Sequence, residues 1–279
     1  GRMSPPETRS GSGGASVPGP GTPAGRAVPR LLEAYGDRLY QLGLRNCGTR
    51  AEAEDLVQET MIQALRSWDS FEGRSRPSTW LFRIALRTCR RMHRRRSGEP
   101  ERFESLENIS ARPDQADASP TDLSHVMPGA GLDRRELANG LDAALARIPE
   151  DFRMALVLKD IADFSVEEVA AILDIPQATA KTRVHRGRVR LRDALEADGL
   201  YRPLPPATVP RQVCLDLLTA KLEAMDRGVP FPFPHGEVCD RCASLFQALD
   251  LNSEVCASLR QGSLPGPFRT GLLERLKAS

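Results

Sequence analysis

Residues 235–242 read His-Gly-Glu-Val-Cys-Asp-Arg-Cys, which spaces His235, Cys239 and Cys242 as His-x3-Cys-x2-Cys. Imidazole and thiolate are donors that zinc favours. On one helix, positions i, i+4 and i+7 fall within about 60° of arc. Pro234 suits the first turn of such a helix, so the spacing predicts one helix carrying all three side chains. A closed tetrahedral site needs a fourth ligand. Cys214 is the first candidate, on a predicted helix from about Arg211 to Arg227, and Cys256 is its rival. Cys47 and Cys89 lie far upstream and read as small buried hydrophobes. The expectation is one zinc per chain, with copper binding or redox sensing open to the same thiols.

The other residues with evident chemistry are basic. The chain has 39 Lys+Arg against 37 Asp+Glu, a net charge of +2 over 279 residues, so bulk charge names no partner. The charge is nevertheless segregated. Residues 73–98 hold nine arginines and no acid, and residues 177–192 hold one lysine, five arginines and no acid. Dense like charge on a short segment calls for a polyanion, usually nucleic acid. A solvated basic helix face is the plainer reading of one such block, but two blocks favour nucleic acid. No phosphate-binding glycine loop, nucleophile triad or carboxylate pair in a catalytic setting occurs, so no intrinsic catalysis is expected. A redox enzyme built on Cys239 and Cys242 would need a βαβ pattern that is missing.

The elements that must position these residues read as helices. Residues 1–27 are rich in Gly and Pro and form a disordered leader. From about Val28, Leu31, Leu32, Tyr35, Leu39 and Leu42 recur at helical spacing, and a second helix runs from about Ala51 to Trp68. A Gly/Ser/Pro loop leads into a third helix with Trp80, Leu81, Ile84 and Ala85 that ends in the arginine run. Residues 99–132 are acidic and proline-broken, a flexible linker. A second helical unit spans 133–198. In it Ser165 and Glu168 form a capping box, Asp174-Ile175-Pro176 breaks the chain, and a basic helix follows from about Gln177 to Ala197.

Two helices about a short turn, the second basic, spell a helix-turn-helix. Ala180, Val184, Leu191 and Leu195 face inward, which leaves Gln177, Thr179, Lys181, Thr182, Arg183 and Arg186 for DNA. Arg188, Arg190 and Arg192 lie further along and serve the DNA backbone or solubility. Residues 199–209 are a Pro-rich joint, and 210–279 form a small third unit whose last helix runs from about Gly271 to Lys277. The fold class is all-α: two helical domains on a flexible linker plus a small zinc-finger-like helical domain. No run of 18 apolar residues and no signal peptide is seen, so no membrane contact and a cytoplasmic location are expected.

Residues 54–96, with Asp55, Leu56, Gln58, Glu59, Thr79, Trp80, Leu81, Ile84, Ala85 and Arg94 to Arg96, closely resemble the promoter-melting domain of bacterial extracytoplasmic-function (ECF) sigma factors. Residues 161–195 resemble that family's −35-reading domain, in the family's order and across a linker. Thr88 and Arg91 depart from the family pattern at positions that bear on promoter preference. The resemblance implies core RNA polymerase and promoter DNA as partners. It places Glu54, Asp55, Gln58 and Glu59 on polymerase. It places Phe71, Arg74, Arg76, Trp80, Arg83, Arg87, Arg90 and Arg94 at the −10 element, with Trp80 equally suited to core packing.

Residues 212–250 resemble a zinc-binding anti-sigma domain with Cys214, His235, Cys239 and Cys242 as ligands, Cys214 standing where histidine is commoner. The function implied is a sigma factor whose fused C-terminal domain contacts the sigma domains and responds to metal or oxidant. A one-component helix-turn-helix regulator is the alternative. For the tail, a structural zinc module and a metal-free interaction helix also stay open.

Overall fold

The computed structural model describes residues 17–97, 134–233 and 238–278, with the backbone alone for 93–97, 134–136, 138 and 139. Most of the leader, the linker 99–132 and His235 therefore lie outside the described residues.

Prolines and capping side chains set the helix starts. Helix α1 (Ala24–Asn46) follows Pro23 and begins four residues before the expected boundary at Val28. The reason is apolar burial: Ala27 and Val28 are both fully buried, and Thr22 O accepts a hydrogen bond from Trp68 Nε1 at 2.7 Å. Helix α2 (Arg50–Ser67) starts on a capping box between Thr49 and Glu52, which satisfies two backbone donors that the helix itself cannot. A short 3-10 turn (Trp68–Ser70) and a loop lead to α3 (Pro77–Ser97). Helices α1 and α2 cross closely at Gly43, where a Cβ would sit 2.8 Å from Ala53 Cα.

The second unit contains α4 (Arg134–Arg147) and α5 (Glu150–Leu156), and α5 continues into a π-helical turn (Val157–Ile161). Helix α6 (Val166–Leu173) starts on the Ser165–Glu168 capping box and ends at Asp174, in the left-handed region at φ 58°. Pro176 then launches α7 (Gln177–Ala197). Ala180, Val184, Leu191 and Leu195 of α7 are buried. Gly187 lets α7 lie against α5, since a Cβ there would meet Phe152 O at 2.9 Å.

Three helices complete the chain: α8 (Arg211–Arg227), α9 (Asp240–Leu259) and α10 (Gly266–Ala278). Helix α10 starts earlier than its leucines suggest, because Pro265 and Pro267 fit a helical first turn and Pro265 O accepts from Arg269 N. The stretch expected as one unit, 210–279, divides between two cores. Helix α8 and the first half of α9 share a small core of Leu222, Cys242, Phe246 and Leu249. Val255, Cys256, Leu264, Leu272 and Leu276 instead join the main core.

That main core runs through both sigma-like units, which pack directly together. Phe82 of α3 meets Phe164 edge-on with ring centres 4.7 Å apart. The Arg38 guanidinium stacks 4.1 Å over Phe164, and its Nε donates to Ala162 O at 2.6 Å. The described residues contain helices and turns and no strand.

Candidate nucleic-acid and metal sites

Helix α7 presents a basic face, and α8 lies across part of it. Gln177, Thr182 and Arg186 are exposed and Thr179 is half-buried. Lys181 Nζ donates to Glu223 Oε1 of α8 at 2.6 Å. One turn further, His185 Nε2 lies 2.7 Å from Asp226 Oδ2. Arg188 Nη1 donates to Asp226 Oδ1 at 2.6 Å. Burial pushes the Asp226 carboxyl up, but its hydrogen bond to His185 and the nearby Arg188 charge outweigh this and hold it below its ordinary value.

Three arginines of α7 are not where the basic run alone puts them. Arg183, expected on DNA, is pinned inward on Asp151 of α5 at 3.1 Å and its side chain is only 12% exposed. Arg188 and Arg192, assigned to the DNA backbone or solubility, are buried at 4% and 3% exposure. Arg188 clamps Asp160, and Arg192 ties Glu196 to Arg202 O. Helical rotation turns these positions toward the core, and each buried charge is then paired, as burial requires.

The expected −10 residues divide in the same way. Phe71 is buried between Trp68 and Trp80, with ring centres 5.0 and 5.3 Å away, so it holds the loop and is closed to a DNA base. Trp80 is half-buried in that cluster. Arg74 is exposed beside Glu72. Arg76 Nη1 donates to Glu168 of α6 at 2.8 Å. Arg83 donates to Ala171 O at 2.6 Å and to Asp174 at 3.2 Å. Arg87 and Arg90 are exposed on α3, and the Arg94 side chain lies outside the described residues.

The sulfurs of Cys214, Cys239 and Cys242 all lie within 4.8 Å of one another. Thiolates about 2.3 Å from a tetrahedral zinc stand about 3.8 Å apart, so small shifts would close this set around an ion. The supporting geometry differs from the single helix expected. Helix α9 begins only at Asp240, and Cys239 is its N-cap residue in extended conformation. Burial pushes the Cys239 thiol up, but backbone donors from Cys242 and Thr208 and the neighbouring thiols bring it below its ordinary value. Burial, with the Cys214 and Cys239 thiols, pushes Cys242 up to about 12. Cys256 is buried in the main core and is not among these three clustered sulfurs. Cys47 and Cys89 are buried with sulfurs 3.4 Å apart.

Two family models match the chain, Sigma-70 region 2 over residues 31–99 and Sigma-70 region 4 over residues 138–191. The chain is similar to the ECF RNA polymerase sigma factor SigW of Bacillus subtilis, 36% identical over 169 residues, 61% of this chain and 89% of the relative. It is also similar to the ECF RNA polymerase sigma factor SigE of Mycolicibacterium smegmatis, 38% identical over 59% of this chain and 60% of the relative. The chain belongs to the ECF RNA polymerase sigma factor family. A solved sigma factor RpoE, in complex with the anti-sigma factor NepR from Bartonella quintana, aligns at TM-score 0.43 and 28% identity, over 60% of this chain and 95% of that one.

As an ECF sigma factor, the protein binds core RNA polymerase and promoter DNA and directs transcription initiation. On α2, Asp55 is exposed while Glu54, Gln58 and Glu59 are half-buried. Glu59 accepts from Arg91 at 3.2 Å. Gln58 Oε1 accepts from Arg275 of α10 at 3.0 Å. The sigma factor thus touches one of its own expected polymerase contacts with its C-terminal helix. Sequence reasoning missed Asp160, His185, Glu223 and Asp226. The only signal was two acids three residues apart on α8, which face a basic helix only once the chain folds. No described helix is long and apolar enough to cross a membrane.

Proposed function

We propose that this sigma factor carries its regulator in its C-terminal helices, which hold it in a closed resting form and respond to metal or oxidant at Cys214, Cys239 and Cys242. The observation that carries this reading is the seat of α10 on α1 and α2. Leu272 and Leu276 are buried, Arg275 reaches Gln58, and Asp37 of α1 accepts from both Leu264 N at 2.7 Å and Arg269. A crevice of about 300 Å³ remains between α2 and α10, lined by Ile62, Leu65 and Leu276 among others.

Spacing along DNA supports a form that must open. Positions −35 and −10 are about 25 base pairs apart, about 85 Å at 3.4 Å per pair. The α3 and α7 units instead share the Phe82–Phe164 contact and one core. Reading both elements at once requires them to part, and Arg76 and Arg83, now bonded to the α6 unit, would then be freed for DNA.

The three thiols suit zinc or another thiophilic ion, which would neutralise thiolate charge and clamp α8 to the start of α9. The test is run-off transcription with core polymerase and the full chain. Leu276→Asp, which breaks the α10 seat, is expected to raise polymerase binding and specific initiation, and chelation or oxidation of the thiols is expected to change the activity of the parent. Unchanged polymerase binding by Leu276→Asp would sink the regulatory reading. A chelated chain that melts earlier yet transcribes as before would favour the structural zinc module.

A further inference from the structure

We infer that Lys181 and His185 form a seat for DNA phosphates on α7, and that Glu223 and Asp226 of α8 fill that seat as carboxylate stand-ins for phosphate in the closed form. The inference rests on the regulatory reading above and deepens its DNA side.

Lys181, His185 and Arg188 follow one another at i, i+4 and i+7, so they share one face over about 10 Å of α7. Glu223 and Asp226, at i and i+3, share one face of α8. The two faces meet in three contacts of 2.6, 2.7 and 2.6 Å. Lys181 Nζ, His185 Nε2 and Arg188 Nη1 are thus each met by a carboxylate oxygen of α8. An ammonium, an imidazole and a guanidinium in a row match the oxygens of a phosphodiester as well as they match two carboxylates.

The three differ in what they keep when α8 leaves. Arg188 retains Asp160, which binds its Nε and Nη2 at 2.8 Å each, so it remains a buried structural residue. Lys181 loses Glu223, and His185 loses Asp226. They are 42% and 14% exposed even with α8 in place, and they lie one turn apart on the helix that the family match assigns to region 4. A phosphate backbone is therefore the ligand class they take up. Attachment of α8 is not set by this seat alone. Lys221 of α8 donates to both oxygens of Asp250 of α9 at 2.6 and 2.7 Å, and Cys214 of α8 belongs to the thiol cluster. Substitution of the two acids should thus loosen α8 from α7 and leave it on α9.

Phosphate contacts are independent of base sequence, so a mixed-sequence 40-base-pair duplex is a sufficient probe. Its binding to the full chain is followed by fluorescence anisotropy across a salt series. The isosteric pair Glu223→Gln and Asp226→Asn is expected to tighten binding about tenfold, as for a seat closed some ten times more often than open. The same pair should steepen the dependence of log K on log salt by about 0.9 for each phosphate gained. Adding Lys181→Gln and His185→Gln should remove the gain. The control pair Glu33→Gln and Glu274→Gln makes the same change in net charge on exposed positions of α1 and α10 and should leave affinity near the parent's.

An equal gain from the control pair would reduce the effect to net charge and overturn the seat. So would a gain that survives loss of Lys181 and His185, or no gain in a variant with the parent's helicity and melting temperature. Polymerase binding, measured alongside, separates the two readings. Tighter duplex binding with the Leu276→Asp response absent supports the phosphate seat while the polymerase side of the proposed regulation fails.

Discussion

Arg188 and Asp160 form a two-point ion pair in the interior, with Arg188 Nε and Nη2 each donating at 2.8 Å to one carboxylate oxygen. The side chains are 4% and 8% exposed. Burial pushes the guanidinium down, and the charge and hydrogen bonds of Asp160 and Asp226 more than reverse this. Asp160 belongs to the π-helical turn, so the pair fixes the turn and α7 together. Removing one partner leaves a buried charge unanswered. Arg188→Ala is expected to cost about 3–5 kcal/mol in urea unfolding. Arg188→Lys should recover only part of this, because an ammonium has no two-point fork. Full stability in Arg188→Ala would contradict the assignment of Arg188 to the fold.

Gly187 permits the approach of α7 to α5. An added Cβ would meet Phe152 O at 2.9 Å and Leu156 Cβ at 3.1 Å, and the first of these is backbone, which yields little. Gly187→Ala gains in helix propensity yet should destabilise by about 1–3 kcal/mol, as overpacking does. The measurement is the urea midpoint. A midpoint at or above the parent's would show that the crossing adjusts without strain.

The thiol cluster makes a prediction in metal content. Cys239→Ser and Cys242→Ser should each abolish the one zinc expected per chain, as should Cys214→Ser. Cys256→Ser should retain it, because Cys256 lies buried in the main core and apart from the other three sulfurs. Elemental analysis of protein purified under reducing conditions decides. A metal-free parent would refute the site, and metal loss in Cys256→Ser would refute the ligand set.

Arg87 and Arg90 are exposed on α3 and make no ion pair among the described residues, unlike Arg76, Arg83 and Arg91. On the proposed reading they are available to promoter phosphates without any rearrangement. Each alanine substitution should weaken promoter binding by the polymerase-bound factor and flatten the log K against log salt slope by about 0.7–0.9. A titration with an unchanged slope would place these arginines off the DNA.

Much of this protein was decided by short-range pattern. The Ser165–Glu168 capping box, the break at Asp174-Ile175-Pro176 and the inward Ala180, Val184, Leu191 and Leu195 all depend on residues a few positions apart, which a sequence displays directly. The same holds for α8, found from Arg211 to Arg227 as the periodicity predicted, and for Cys239 and Cys242, whose spacing brings them to one site. The family motifs of the two sigma regions are likewise local.

What tertiary structure decided was which of these residues meet. Arg183, Arg186 and Arg188 look alike in a basic run, yet Asp151 and Asp160 take two of them into the interior and leave Arg186 outside. Glu223 lies 42 residues from Lys181, and Gln58 lies 217 residues from Arg275, so no spacing rule links either pair. The aromatic Phe71 read as a DNA contact and became the filling between two tryptophans. Burial and charge pairing are properties of surfaces brought together by the whole core. The sequence held the partners, and only the side-chain contacts of α8 with α7 and the packing of α10 on α1 and α2 paired them.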